Sequence, residues 1–198
     1  RKISEENSSS LPGSCQTTLG IGLNGKTLGI LGLGKLGSQV ARIGNAFGMD
    51  IIAWSQNLTE KRAIENGATL ATFDDLMKNS DFLSIHTVLS ERTRGLIGQR
   101  ELNLMKSTAF LINTSRGPIV DEQALVQALR EGVIAGAGLD VFDTEPLPHE
   151  HTFLTLPNTL ITPHVGYVTV EGYEIFYRQT VECISQFLNG TPVRVLNP

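Results

Sequence analysis

The sequence predicts an α/β fold: a doubly wound, mostly parallel sheet with helices on both faces. Short β-branched apolar runs alternate with longer amphipathic segments along almost all of its 198 residues. The first apolar run enters a glycine-rich turn that opens directly into an amphipathic segment. Glycine is also in excess, at 20 residues, against the ~7% usual in proteins.

The elements follow in chain order. Residues 1–18 contain Ser-Ser-Ser-Leu-Pro-Gly without a period and predict a linker or the remnant of another domain. Strands are expected at Thr27–Leu33, Asp50–Trp54, Phe82–Thr87, Ala109–Thr114, Ile134–Val141 and Thr159–Thr162. Helices are expected at Lys35–Phe47, Thr59–Asn66, Phe73–Lys78, Arg100–Met105 and Asp121–Glu131. Thr59 before Glu60 is a start signal, and Asp121 opens a run (Ala124, Leu125, Ala128, Leu129) that Gly132 closes. A last helix, Val170–Leu188, ends at Asn189-Gly190. The domain division is therefore 1–18, a dinucleotide-binding unit at 19–167, and a returning helix and tail at 168–198.

Composition excludes several classes. A hydrophobic fraction of 40% fills a core, and 18% charged residues is too few for a disordered chain. The net charge of −4 with scattered Lys and Arg leaves no footprint for nucleic acid. No apolar run approaches the ~18 residues of a membrane span. Cys15 and Cys183 cannot build a disulfide framework and read as inert thiols in a reducing, cytoplasmic setting.

Gly32, Gly34 and Gly37 form G-x-G-x-x-G between a strand and a helix, the Rossmann-type arrangement for a dinucleotide. Gly32 permits the tight turn, Gly34 admits a pyrophosphate to the backbone, and Gly37 allows close helix–sheet packing. Lys35 and Leu36 lie in the same phosphate-binding turn. An acid about 20 positions on, at the end of the second strand, normally binds the ribose 2′-OH. Here Ser55-Gln56 stands in its place, and no carboxylate repels a 2′-phosphate. Lys61 and Arg62 lie shortly beyond and are candidates to reach such a phosphate. NAD and NADP both remain open.

Three further segments lie at carboxyl ends of predicted strands: Asn113-Thr114-Ser115-Arg116-Gly117, Gly138 to Pro146, and Thr162-Pro163-His164-Val165-Gly166. With the glycine loop, in this order, they resemble the D-isomer-specific 2-hydroxyacid dehydrogenases from about Leu23 to Pro198. The resemblance implies that Arg116 holds the substrate carboxylate and carbonyl. It implies also that His164 is the acid/base, Glu145 its partner, and Asp140 a contact to the nicotinamide carboxamide. Thr87, Val88, Thr114, Ser115 and Gly166 would line the cofactor cleft, together with Arg116 and His164. Formate dehydrogenases of that superfamily carry Gln where Glu145 stands, which argues against that branch.

The chemistry needs these residue types on its own account. Histidine can hold or release a proton near neutrality, and a neighbouring carboxylate favours its charged form. Arginine offers a planar fork that orients a carboxylate, and its charge polarises a carbonyl. The expected function is NAD(P)-dependent interconversion of a small D-2-hydroxy acid and its 2-keto acid, of the glyoxylate, hydroxypyruvate or 3-phosphoglycerate type. A nucleotide-sensing module resembling the transcriptional corepressors of the same superfamily is the alternative, and an isolated Rossmann domain of unrelated use is a third. A homodimer through the dinucleotide-binding domain is expected. Relatives resemble two-domain enzymes, so this chain is expected to be a fragment that binds cofactor without turnover. His149-Glu150-His151 lacks a third ligand at zinc spacing and reads as loop surface, with no metal. His86 reads as packed or cleft-lining, and Asp143 as a surface carboxylate.

Overall fold

Thr27 to Leu31 is the strand from which the sheet grows to both sides. In the computed structural model, which describes residues 19–196, this strand (β1, Thr27–Leu31) pairs in parallel with β2 (Asp50–Trp54) on one side and β4 (Phe82–Ile85) on the other. The seven strands run in the order β3-β2-β1-β4-β5-β6-β7, all parallel, with β3 (Thr69–Leu70), β5 (Phe110–Asn113), β6 (Gly136–Leu139) and β7 (Thr159–Ile161) completing them. The order reverses between β1 and β4, where a doubly wound sheet opens a crevice at its carboxyl edge. The expected linker 1–18, with Cys15, lies outside the described residues.

Among the described residues, six helices cover the sheet or leave it: α1 (Lys35–Ala46), α2 (Glu60–Glu65), α3 (Phe73–Asn79), α4 (Gln99–Leu104), α5 (Glu122–Arg130) and α6 (Val170–Leu188). Thr59 caps α2 by accepting from Arg62 N–H, and Asp121 caps α5 by accepting from Ala124 N–H at 2.9 Å. α1 lays Gly37, Ala41 and Gly44 on the sheet. A Cβ on Gly44 would come within 2.7 Å of Leu28 and 2.8 Å of Ile51, so the missing side chain sets how closely the helix lies.

Burial on both faces explains the continuous apolar strands. Leu28, Ile30, Ile51 and Ala53 pack with Ala41 and Ala63. Leu31, Leu83, Ile85 and Leu111 belong to a larger core with Leu76, Met77, Leu102, Leu125 and Phe153. Such burial yields roughly 1.5–3 kcal/mol for each large aliphatic chain. α6 is the exception, with none of its 19 residues buried. No helix among the described residues is long and apolar enough to cross a membrane.

Several expected boundaries shift. β1 stops at Leu31 because Gly32 turns the chain at φ +103°. β4 and β5 end before His86 and Thr114, polar residues that leave the ladder, and β5 also starts one residue late at Phe110. β6 keeps only Gly136–Leu139, losing Ile134 and Ala135 to the bend before it and Asp140 and Val141 to the loop after it. β3 was not expected: two exposed residues on the sheet edge carry no readable period. Short 3₁₀ turns at Gly117–Ile119 and Thr152–Leu154 also had no sequence signal.

Candidate active site

The glycine loop is tied to the end of β2. Gly32 N–H donates to the Trp54 carbonyl at 2.8 Å, and Leu33 N–H donates to Ser55 Oγ at 2.8 Å. Ser55 thus braces the loop, a role its place in the expected ribose site did not reveal, while Gln56 beside it is exposed. A Cβ on Gly32 would lie 2.8 Å from the His86 carbonyl, and one on Gly37 would strike the Gly32 carbonyl. Gly34 differs, because nothing lies within 4 Å of where its Cβ would sit. No protein atom demands glycine there, so the open face fits a ligand resting on the backbone. The first turn of α1 has neither a side-chain cap nor an acidic residue. Its unpaired N–H groups, with Lys35 and Leu36 exposed beside them, suit a pyrophosphate. The residues present fit a dinucleotide.

Across the switch point, β4 leads to His86, Thr87 and Val88. His86 is half-buried, its Nε2 lies 2.8 Å from Ser84 Oγ, and burial pushes its pKa down. Thr87 is half-buried and Val88 is 81% exposed, both just past the carboxyl end of β4. Lys61 and Arg62 are exposed on α2, with Lys61 4.0 Å from Glu65.

β5 ends in a turn knotted by Asn113, which is buried and was not singled out from the sequence. Its Nδ2 donates to the Arg116 carbonyl at 2.9 Å, and its Oδ1 accepts from Ser115 N–H at 3.0 Å. Ser115 Oγ donates to the Ile85 carbonyl at 2.7 Å, locking the turn to β4. Thr114 and Arg116 face outward. One Arg116 N–H donates to the Ser115 carbonyl at 2.6 Å, and the rest of the exposed guanidinium points away from the core. A Cβ on Gly117 would run into the Phe142 carbonyl and Asp143 nitrogen, so the Arg116 turn rests directly on the segment leading to Glu145.

Asp140, at the end of β6, is 6% exposed and holds the His164 loop. Its carboxylate accepts from Val165 N–H and Gly166 N–H, each at 2.9 Å, and from the Thr162 hydroxyl. Burial works to raise its pKa, but the Thr162, Gly166 and Val165 donors and the His164 charge outweigh it and leave the pKa lowered. These bonds hold His164 at φ +55°, the left-handed region that costs a non-glycine residue ~1–3 kcal/mol.

His164 Nδ1 lies 2.7 Å from Glu145 Oε2, while Glu145 Oε1 accepts from Phe142 N–H at 2.9 Å. Burial pushes the Glu145 pKa up, yet the His164 bond, the Phe142 N–H and the charges of His164 and Arg116 bring it below the ordinary value. Glu145 is therefore ionised at neutral pH. With Nδ1 engaged, Nε2 is the ring atom free to meet a substrate. Arg116, Glu145 and His164 thus converge at one edge of the sheet.

The loop at 149–151 departs in part from its expected surface role. His149 and Glu150 are exposed, but the His151 side chain is turned in and only 17% exposed. Its Nε2 lies 3.0 Å from Glu122 Oε1, and its Nδ1 accepts from Phe153 N–H at 3.2 Å. The partner Glu122 sits on α5, beyond the reach of local pattern. No group of three metal-ligating side chains occurs among the described residues. Asp143 is exposed, with its pKa raised by burial and by Glu122. Cys183 is half-buried, its Sγ 3.8 Å from Arg194 Nη1.

A family model described as D-isomer specific 2-hydroxyacid dehydrogenase, NAD binding domain, matches residues 1–166. The glyoxylate reductase of Aeropyrum pernix is 53% identical over 180 residues, covering 90% of this chain and 54% of that protein. The D-3-phosphoglycerate dehydrogenase of Bacillus subtilis is 41% identical over 175 residues, or 88% of this chain and 33% of that protein. The crystal structure of D-lactate dehydrogenase from Aquifex aeolicus, complexed with NAD and lactic acid, superposes with a TM-score of 0.82 at 33% identity, over 96% of this chain and 61% of that one. The chain spans about half the length of the A. pernix relative, or less in longer ones. With four motifs in one cleft and a family match over most of its length, the chain belongs to the D-isomer specific 2-hydroxyacid dehydrogenases, as their NAD-binding domain.

Proposed function

We propose that the protein interconverts a small D-2-hydroxy acid and its 2-keto acid, with Arg116, Glu145 and His164 carrying the reaction. The observation behind this reading is the 2.7 Å pair of His164 Nδ1 and Glu145 Oε2 at the carboxyl edge of the sheet. A bound nicotinamide dinucleotide supplies or accepts the hydride. Ionised Glu145 orients the imidazole through Nδ1. Nε2 then gives a proton to the developing alkoxide in reduction and takes it back in oxidation. The Arg116 fork holds the substrate carboxylate, and its charge draws electron density from the carbonyl.

The names of the relatives support glyoxylate and 3-phosphoglycerate as the substrates to test first. Ser55, in place of an acid, supports admission of NADP beside NAD. The same proposal includes a homodimer through the sheet domain, cytoplasmic residence, and a division into a nucleotide-binding unit at 19–167 and a returning segment at 168–198. The test follows NADH oxidation at the nicotinamide absorbance with glyoxylate, hydroxypyruvate and 3-phosphohydroxypyruvate, using the full-length protein and this chain side by side. Turnover by the full-length protein, with binding alone by this chain, is expected. A full-length protein that binds NAD and reduces none of these acids would refute the enzyme reading and favour nucleotide sensing.

A further inference from the structure

We propose that Tyr167 is a positioning residue for the His164 imidazole, backed by α6 through Phe176. The inference rests on the reading of His164 as proton donor, but its subject is the orientation of the ring.

The bonds around His164 leave one motion free. Asp140 pins the backbone that follows it, and Glu145 holds the ring at Nδ1 alone. A single hydrogen bond acts as a pivot: small turns about the Cα–Cβ and Cβ–Cγ bonds tilt the ring around the Nδ1···Oε2 line and carry Nε2 with it. Proton transfer needs Nε2 within about 2.6–3.2 Å of its acceptor, so a rolling ring is unproductive for much of the time.

Tyr167 supplies a second contact off that line. Its ring stands edge-on to the imidazole, 5.6 Å between centroids and at 88°, the T-shaped arrangement that aromatic quadrupoles favour. Tyr167 is itself supported from behind. Val168 N–H closes a turn onto the Val165 carbonyl at 2.9 Å. Phe176, in the second turn of α6, lies 6.4 Å from the tyrosine ring at 45°. Gly172 keeps the start of the helix close, since a Cβ there would sit 3.3 Å from the Tyr167 carbonyl. The aromatic series continues along the helix from Phe176 to Tyr173 at 6.3 Å and from Tyr173 to Tyr177 at 5.8 Å. Tyr167 is 54% exposed, so filling the core does not account for it. No residue of α6 is fully buried, and a load placed on that helix reaches the imidazole through Phe176.

The test reads the ring directly. In protein labelled with ¹⁵N-histidine there are four imidazoles, and the His164 signals are those lost in His164→Gln. Tyr167→Ala is expected to abolish the ring-current shift of the His164 carbon-bound protons and to broaden its nitrogen signals, with His86, His149 and His151 unmoved. Tyr167→Phe should restore the wild-type spectrum, and Phe176→Ala should move the His164 signals in the same direction by less. In the full-length protein, Tyr167→Ala should lower kcat by about 2- to 13-fold, the worth of one aromatic pair, at unchanged KM. Unchanged His164 signals in Tyr167→Ala would overturn the positioning role, as would equal movement of all four histidines. No response to Phe176→Ala would overturn the link to α6. If Tyr167→Ala moves the ring but His164→Gln still turns over substrate, the proposed function fails while the account of the ring stands.

Discussion

Replacing Asp140 with Ala should free the loop that carries His164 without unfolding the domain. The carboxylate accepts two backbone N–H groups, from Val165 and Gly166, each at 2.9 Å. Hydrogen bonds to a charged acceptor contribute about 1.5–3 kcal/mol each, so the pair contributes roughly 3–6 kcal/mol to keeping the loop closed. Opening also releases the left-handed strain at His164, so the Glu145–His164 pair is the main tie left once the carboxylate is gone. At 1.4 kcal/mol per decade, hydrogen-exchange protection of the Val165 and Gly166 amides should fall by about two to four orders of magnitude. Asp140→Asn keeps one acceptor oxygen and should lose about half as many decades. The amides of β1 and β4 serve as internal controls and should stay within a few-fold of wild type. Protection of Val165 and Gly166 within tenfold of wild type in Asp140→Ala would refute the claim that this carboxylate holds the loop.

Three further outcomes follow from the same geometry. His164→Ala in the full-length protein should reduce keto-acid turnover by about two to four orders of magnitude and leave the calorimetric NAD affinity near wild type; an active variant would remove His164 from the mechanism. Ser55→Ala leaves Leu33 N–H without its acceptor, at ~1–3 kcal/mol, and should weaken both NAD and NADP; Ser55→Asp keeps an acceptor and should turn preference strongly toward NAD. Measured dissociation constants decide this, and a wild type favouring NAD by more than about a thousandfold would show that the ribose is read elsewhere. The Asp140 carboxyl, held below its ordinary range, stabilises the fold above its unfolded pKa of about 3.9, and that contribution is lost as pH falls through the lower folded value. Asp140→Asn should therefore flatten the fall of Tm below about pH 4, and an acid limb identical to wild type would show that the carboxyl does not titrate with folding.

The legible part of this structure was the part written locally. Gly32, Gly34 and Gly37 announce a turn in which Gly32 and Gly37 leave no room for a side chain and Gly34 leaves the backbone open, and β-branched runs buried on both faces announce parallel strands. Arg116, Glu145 and His164 stand out as candidates because each lies in a polar segment that follows a strand and matches a motif of the resemblance, and the structure brings Glu145 and His164 within 2.7 Å. What escaped depends on distant partners. Thr69–Leu70 becomes a strand only because β2 is beside it. His151 turns inward only because Glu122 waits on α5. Ser55, read as a ribose contact, and Asn113, read only as the start of a motif, show no sign of the turns they brace until those turns are folded around them. Asp140 likewise carries no mark of the three donors that reach it from the far side of β7.

The backbone contact of Gly117 with Phe142 and Asp143 has a consequence for how such a domain diversifies. It welds the turn of Arg116 to the segment that carries Glu145, so the guanidinium and the Glu145–His164 pair form a plate of fixed spacing. Neither can be retuned alone, because widening one displaces the other. Under the proposed function, discrimination between a short acid and a bulkier one is then built on the surface that closes over this plate. A lineage could exchange that surface repeatedly while the plate passed unchanged from one substrate to the next.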